Sequence, residues 1–111
     1  MAEEKQNPVT MGQAMSAESR FMVPANVSWK QLDGSVVAVN LDTGVYFTFN
    51  PTASDAWCHL VEGKTLGDCT IPIHEAYPYM DTSVIKQDVI EIIASFVENN
   101  LMVLKTEPVT Q

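Results

Sequence analysis

Residues 36–57 read VVAVNLDTGVYFTFNPTASDAW. Two apolar runs, within Ser35–Asn40 and Val45–Phe49, flank an Asp42-Thr43-Gly44 turn, and a helix start follows directly. Gly44 supplies the left-handed conformation such a turn needs. In the second run Val45, Phe47 and Phe49 alternate with Tyr46 and Thr48, the period of a strand with one apolar and one mixed face. The apolar face is expected to cover the core. Asn50 then offers a side-chain cap, and Pro51 takes the first helical position, where its missing N–H costs nothing. Ala53, Ala56, Trp57, Leu60 and Val61 follow at i, i+3, i+4, i+7 and i+8, a single helical stripe. Gly63 closes that helix.

Upstream, Val27–Leu32 reads as a strand ending at Asp33-Gly34, a two-residue hairpin signal. That turn sets Trp29 opposite Ala38 and Gln31 opposite Val36. The strands Val27–Leu32, Ser35–Asn40 and Val45–Phe49 therefore form an antiparallel meander. Downstream, a last helix is predicted over Val84–Asn99, capped by Asp81, Thr82 or Ser83. Its apolar stripe is Ile85, Val89, Ile92 and Phe96, widened by Ile93 and Val97, with Asp88, Glu91 and Ser95 on a polar flank. Asn99-Asn100 breaks it, and Leu101–Leu104 forms a short strand or extended tail. Residues 64–81 carry Pro72 and Pro78 among β-branched residues, so any helix from Thr65 is expected to stop by about Ile71. An extended, tyrosine-bearing loop follows, packed across the domain or set against a partner. Three strands and two or three helices make a small α+β domain.

A chain of 111 residues holds one such core and not two. Residues 1–25 contain little periodic apolar pattern and are expected to form a disordered tail, as are residues 106–111. No secretory h-region and no membrane-length apolar run is present, which points to the cytoplasm. Fourteen acidic residues stand against six scattered basic ones, a net charge of −8, so no stripe is available to neutralise phosphates. Cys58, His59, Cys69 and His74 lack the paired spacing of a zinc site. Nor does any nucleophile, base and orienting residue fall into a catalytic motif; Cys58 reads as a reduced, structural thiol. No metal and no cofactor is expected, and the chain is not read as an enzyme.

The segment from about Val27 to Leu104 resembles the PqqD-like family of peptide-recognition domains, the RiPP recognition elements. The likeness is carried by the strand pair, the Val45-Tyr46-Phe47-Thr48-Phe49 strand ending in Asn50, Trp57 seven residues on, the Leu60-Val61-Glu62-Gly63 helix end and the final amphipathic helix. It implies a winged-helix-like arrangement over residues 26–105. It also implies a function: binding the leader segment of a ribosomally made precursor peptide by strand addition, and presenting it to a modifying enzyme such as a radical SAM enzyme, a protease or a cyclodehydratase. Val45, Tyr46, Phe47, Thr48 and Phe49 would supply one wall of the groove and Asp88, Glu91, Ile92 and Ser95 the other. Which flank of the last helix faces the groove stays open. The family usually has a regular short helix where this chain has residues 64–81, and the Leu41-Asp42-Thr43-Gly44 turn departs from the cofactor-synthesis member that names the family. The chain looks more like a recognition subunit of another pathway, such as lasso peptides or radical-enzyme-modified peptides. The competing readings are a scaffold subunit that docks to a larger enzyme or forms a homodimer by strand exchange, and a winged-helix DNA-binding protein. Against the latter, the last helix sets Asp88, Glu91 and Glu98 against a single Lys86.

Overall fold

The computed structural model describes residues 15–105. Along the chain the elements are β1 (Arg20–Met22), β2 (Val27–Leu32), β3 (Ser35–Asn40), β4 (Tyr46–Thr48), α1 (Pro51–Val61), α2 (Leu66–Ala76), α3 (Thr82–Glu98) and β5 (Val103–Lys105). Strands β2, β3 and β4 form one antiparallel sheet in that order, and β1 pairs with β5 in a second. The α+β meander followed by helices is thus the observed fold. No helix among the described residues is long and apolar enough to cross a membrane.

Asp33 and Gly34 both take positive φ, 54° and 82°, the pair that a tight twisted hairpin demands. The turn delivers the expected register, with Trp29 opposite Ala38 and Gln31 opposite Val36. Strand β4 is shorter than the expected Val45–Phe49. Val45 belongs to the turn: its N–H donates to Thr43 Oγ1 at 3.2 Å, its carbonyl accepts from Asn40 N–H at 2.9 Å, and its side chain is 52% exposed. It does not cover the core as the alternation suggested.

At the other end of β4, Phe49 N–H donates to Val36 O at 2.9 Å, but the return bond is absent. Val36 N–H donates instead to Ser54 Oγ at 2.9 Å, and that hydroxyl donates to Phe49 O at 3.4 Å. A side chain from α1 is therefore spliced into the ladder, which pins the helix start to the sheet. Ser54 is fully buried, so its loss orphans the Val36 N–H. Ser54→Ala is expected to cost roughly 1–3 kcal/mol, read as a lower urea midpoint with an unchanged slope.

The core gathers Val36 and Ala38 of β3, Ala56, Trp57 and Leu60 of α1, and Ile85, Val89, Ile93 and Phe96 of α3. Ile93, and not Ile92, occupies the buried stripe of α3; Ile92 is only half-buried. Val61, placed by periodicity on the buried face of α1, is 40% exposed because the helix ends there.

Two expectations are corrected. Residues 66–76 form a helix that runs through Pro72. Thr65 and Asp68 make a capping box, with Asp68 N–H to Thr65 Oγ1 at 3.1 Å and Thr65 N–H to Asp68 Oδ2 at 3.3 Å. Leu66, Cys69 and Ile73, spaced i, i+3 and i+7, are buried. Burying Leu66 and Ile73 alone brings about 3–6 kcal/mol, which meets or exceeds the roughly 3 kcal/mol cost of an interior proline. The extended tyrosine-bearing stretch shrinks to residues 77–81, where Tyr77 and Tyr79 pack edge to face at 6.5 Å.

The second correction concerns the expected tail over residues 1–25. Residues 1–14 and 106–111 lie outside the described residues, but Phe21 of β1 is buried and pairs with Leu104 of β5. The preceding residues cap α2: Gly67 N–H donates to Ala17 O at 2.8 Å and Leu66 N–H to Ser19 O at 2.9 Å, satisfying two donors at the helix start. Arg20 Nε reaches Gly63 O at 3.0 Å. Backbone pairing of this kind leaves no apolar periodicity to read.

Candidate functional site

Among the described residues strand β4 pairs with β3 on one side only. The bonds from Asn40 N–H to Val45 O and from Phe49 N–H to Val36 O fix the parity of the ladder. Residues 45, 47 and 49 bond to β3, so the N–H and C=O groups of Tyr46 and Thr48 point to the free edge. That edge carries no proline, lysine or bulge to blunt it.

Beside it lies a groove of about 580 Å³. Strand β4 and its extension (Phe47, Thr48, Phe49, Asn50) form one wall, and α3 (Asp88, Glu91, Ile92, Ser95) forms the other. Thr52 and Ala53 close one side. An aromatic cluster lies behind it: Phe49 packs at a tilt against Phe96 at 5.0 Å and against Trp57 at 5.3 Å, while Trp57 meets Phe96 edge-on at 5.2 Å and Trp29 at 5.8 Å. The rings tie β4, α1 and α3 into one unit. Asn50 caps α1 through its side chain, accepting from Ala53 N–H at 2.8 Å, and so aims the chain away from the strand where the groove opens.

Of the residues singled out from sequence, Phe47, Thr48, Phe49, Asp88, Glu91, Ile92 and Ser95 line this groove. The flank of α3 that carries Asp88, Glu91, Ile92 and Ser95 is the one that faces β4 across this groove. Val45 and Tyr46 do not line it. Val45 sits in the turn, and the Tyr46 side chain, 70% exposed, lies on the outer sheet face with Val37 and Val39. Tyr46 meets the edge through its backbone alone. Sequence reasoning missed Asn50, Thr52, Ala53, Phe96, Asn99 and Leu101. Ala53 was readable as a small residue on the helix stripe, but only the sheet-to-helix geometry turns its size into space. Phe96 was assigned wholly to the core.

Neither thiol is set up for chemistry. Burial, then the carboxylates of Asp55 and Glu62, raise the Cys58 pKa. Burial, then Asp68, push Cys69 up to about 11, against a smaller opposing effect of Lys64. Both stay protonated near neutral pH, so the folded chain is expected to react slowly with a thiol reagent at pH 8 and rapidly once unfolded in urea. Among the described residues no three His, Cys, Asp or Glu side chains converge as metal ligands.

A family model described as coenzyme PQQ synthesis protein D (PqqD) matches residues 35–102, well over half of the chain. The chain belongs to the PqqD family. Two solved structures share the fold. TbiB1 in complex with the TbiA(beta) leader peptide is 23% identical with a TM-score of 0.70, over 78% of this PqqD-family chain and 99% of that one. Lasso peptide synthetase B1 complexed with the leader peptide is 20% identical with a TM-score of 0.67, over 76% and 98% of the two chains. Comparison with curated proteins finds no match for this PqqD-family member.

Proposed function

We propose that this chain is a non-catalytic recognition module that binds the leader segment of a ribosomally made precursor peptide. The leader adds as a further strand on β4 and seats alternate side chains in the groove against α3. The observation that carries this reading is the coincidence of a bare strand edge and a groove on its flank. Backbone bonds to Tyr46 and Thr48 fix the register without reading sequence, and the Phe47, Phe49 and Ile92 surfaces select the side chains. The fold it shares with two leader-bound structures supports the same reading.

The bound leader is handed to a modifying enzyme, in the cytoplasm where ribosomal products are made. The fold shared with lasso peptide synthetase B1 supports a pathway of that kind, with a radical SAM enzyme, a protease or a cyclodehydratase as the partner enzyme. Strand exchange between two copies would use the same edge, so a homodimer and a bound leader compete for β4. A nucleic-acid role is disfavoured because the α3 wall presents Asp88 and Glu91 and no lysine or arginine. The deciding experiment is an amide NMR titration with the leader half of the precursor encoded nearest the gene. Shifts concentrated in residues 46–50 and along the Asp88, Glu91, Ile92 and Ser95 face of α3 are expected. A spectrum unmoved by the leader but sensitive to dilution would favour the scaffold reading.

A further inference from the structure

The groove is electrostatically lopsided. Asp88 and Glu91 stand three residues apart on one face of α3, at one end of the wall, while Ser95 and Asn99 make the other end neutral. Among the described residues no lysine or arginine lines the groove. Neither carboxylate takes part in the ion pairs found among the described residues, which join Glu62 to His59 and Lys64. Glu91 Oε2 accepts from Gln87 Nε2 at 3.1 Å, which steadies it without neutralising it. At the far end, the Asn99 amide is already spent on Ser95 O and Oγ at 2.9 and 3.3 Å.

We infer that the peptide segment this groove accepts carries a lysine or arginine at the groove-facing position beside Asp88 and Glu91, with apolar residues at the neighbouring groove-facing positions. The inference rests on the reading of the groove as a peptide site. From Asp88 to Asn99 the helix advances about 16 Å, which about five extended residues span. Every second one faces inward, giving three side chains. Two of them meet the Phe47, Phe49, Ile92 and Phe96 surface. The third lies against the carboxylates, where an apolar residue would strip water from two charges without replacing it and an acidic one would meet like charge. A long basic side chain satisfies both demands, laying its methylenes on Ile92 and its head between the acids. The chain's net charge of −8 adds a long-range pull on such a peptide.

The test is selection of a displayed library of random ten-residue peptides on the immobilised full chain at low salt. Lysine or arginine is expected to be enriched, and Asp and Glu depleted, at one position of an alternating apolar pattern. Selection on a chain carrying Asp88→Lys with Glu91→Lys is expected to invert that preference. A chain carrying Asp88→Asn with Glu91→Gln should lose the preference without inverting it, and covers the event that the lysine pair misfolds. The best wild-type peptide should bind the lysine variant about 10-fold more weakly, with recovery when its basic residue is replaced by Glu. An alternating apolar pattern with no charge preference, or a preference that survives the exchange, overturns this inference and leaves the peptide site standing. Enrichment of no pattern at all overturns both.

Discussion

Thr48→Pro is expected to weaken peptide binding at least about 10-fold, or 1.4 kcal/mol, while the domain stays folded. The asymmetry comes from the parity of the ladder. Thr48 lies opposite Val37 in a pair that exchanges no bonds, so its N–H faces the free edge and the sheet loses nothing when it goes. Phe47, one residue earlier, stays in the extended region that a following proline prefers. A peptide strand loses more. It forfeits one backbone hydrogen bond, worth roughly 0.5–1.5 kcal/mol net, and the proline ring fills the space through which its carbonyl would approach. Phe47→Pro is the contrasting variant: Phe47 pairs with Ala38 through the ladder, and its N–H is needed there. That chain should fail to fold. Fluorescence anisotropy with a labelled leader, beside far-UV melting curves, separates the two. A folded Thr48→Pro chain that binds within twofold of the parent would remove strand addition at β4 from the mechanism.

Trp57→Ala is expected to cost about 3–5 kcal/mol, a large part of the stability a domain of this size commands. Trp57 is fully buried and touches Trp29, Phe49 and Phe96, so truncation opens a cavity where sheet, α1 and α3 meet. The groove suffers with it, because Phe49 and Phe96 lose the ring that holds them in place. One detail refines the expectation. The indole Nε1 is buried with no hydrogen-bond partner among the described atoms, so Trp57 carries an unpaid polar group beside its apolar surface. Trp57→Phe removes that group along with part of the volume, and should cost markedly less than Trp57→Ala. Thermal unfolding of the three chains gives the order; equal losses in the two variants would show that the phenyl ring restores none of the packing and that removing the Nε1 group brings no relief.

Local chemistry explains what could be read in advance. The Asp33-Gly34 turn admits essentially one hairpin geometry, so the β2–β3 register followed from two residues. Asn50-Pro51 marks a helix start by satisfying one orphan donor and lacking another, and α1 begins there. The family resemblance supplied the two walls of the groove, on the strand of residues 45–49 and the helix of residues 84–99, and seven of the nine residues it named line the pocket between them. The two that do not, Val45 and Tyr46, were lost to the turn and to the opposite face.

Where local and tertiary forces disagree, the sequence misleads. Pro72 argues against a helix over its own few residues, yet Leu66, Cys69 and Ile73 gain their burial only if the helix continues beneath them. The capping box at Thr65 and Asp68 was the local sign that this would happen. β1 left no sign, because a three-residue strand and two carbonyls that cap α2 are recognised by backbone pairing, which is blind to side-chain pattern.

The sequence alone determined the meander, its register, the start of α1 and the acidic character of α3, because each is set by interactions within a few residues. Only the tertiary structure decided that α2 passes through its proline, that Ser54 is spliced into the β3–β4 ladder, and that the acidic flank of α3 faces the open strand edge. Those outcomes depend on burial and on partners distant in sequence, whose free energies appear only once the elements have packed.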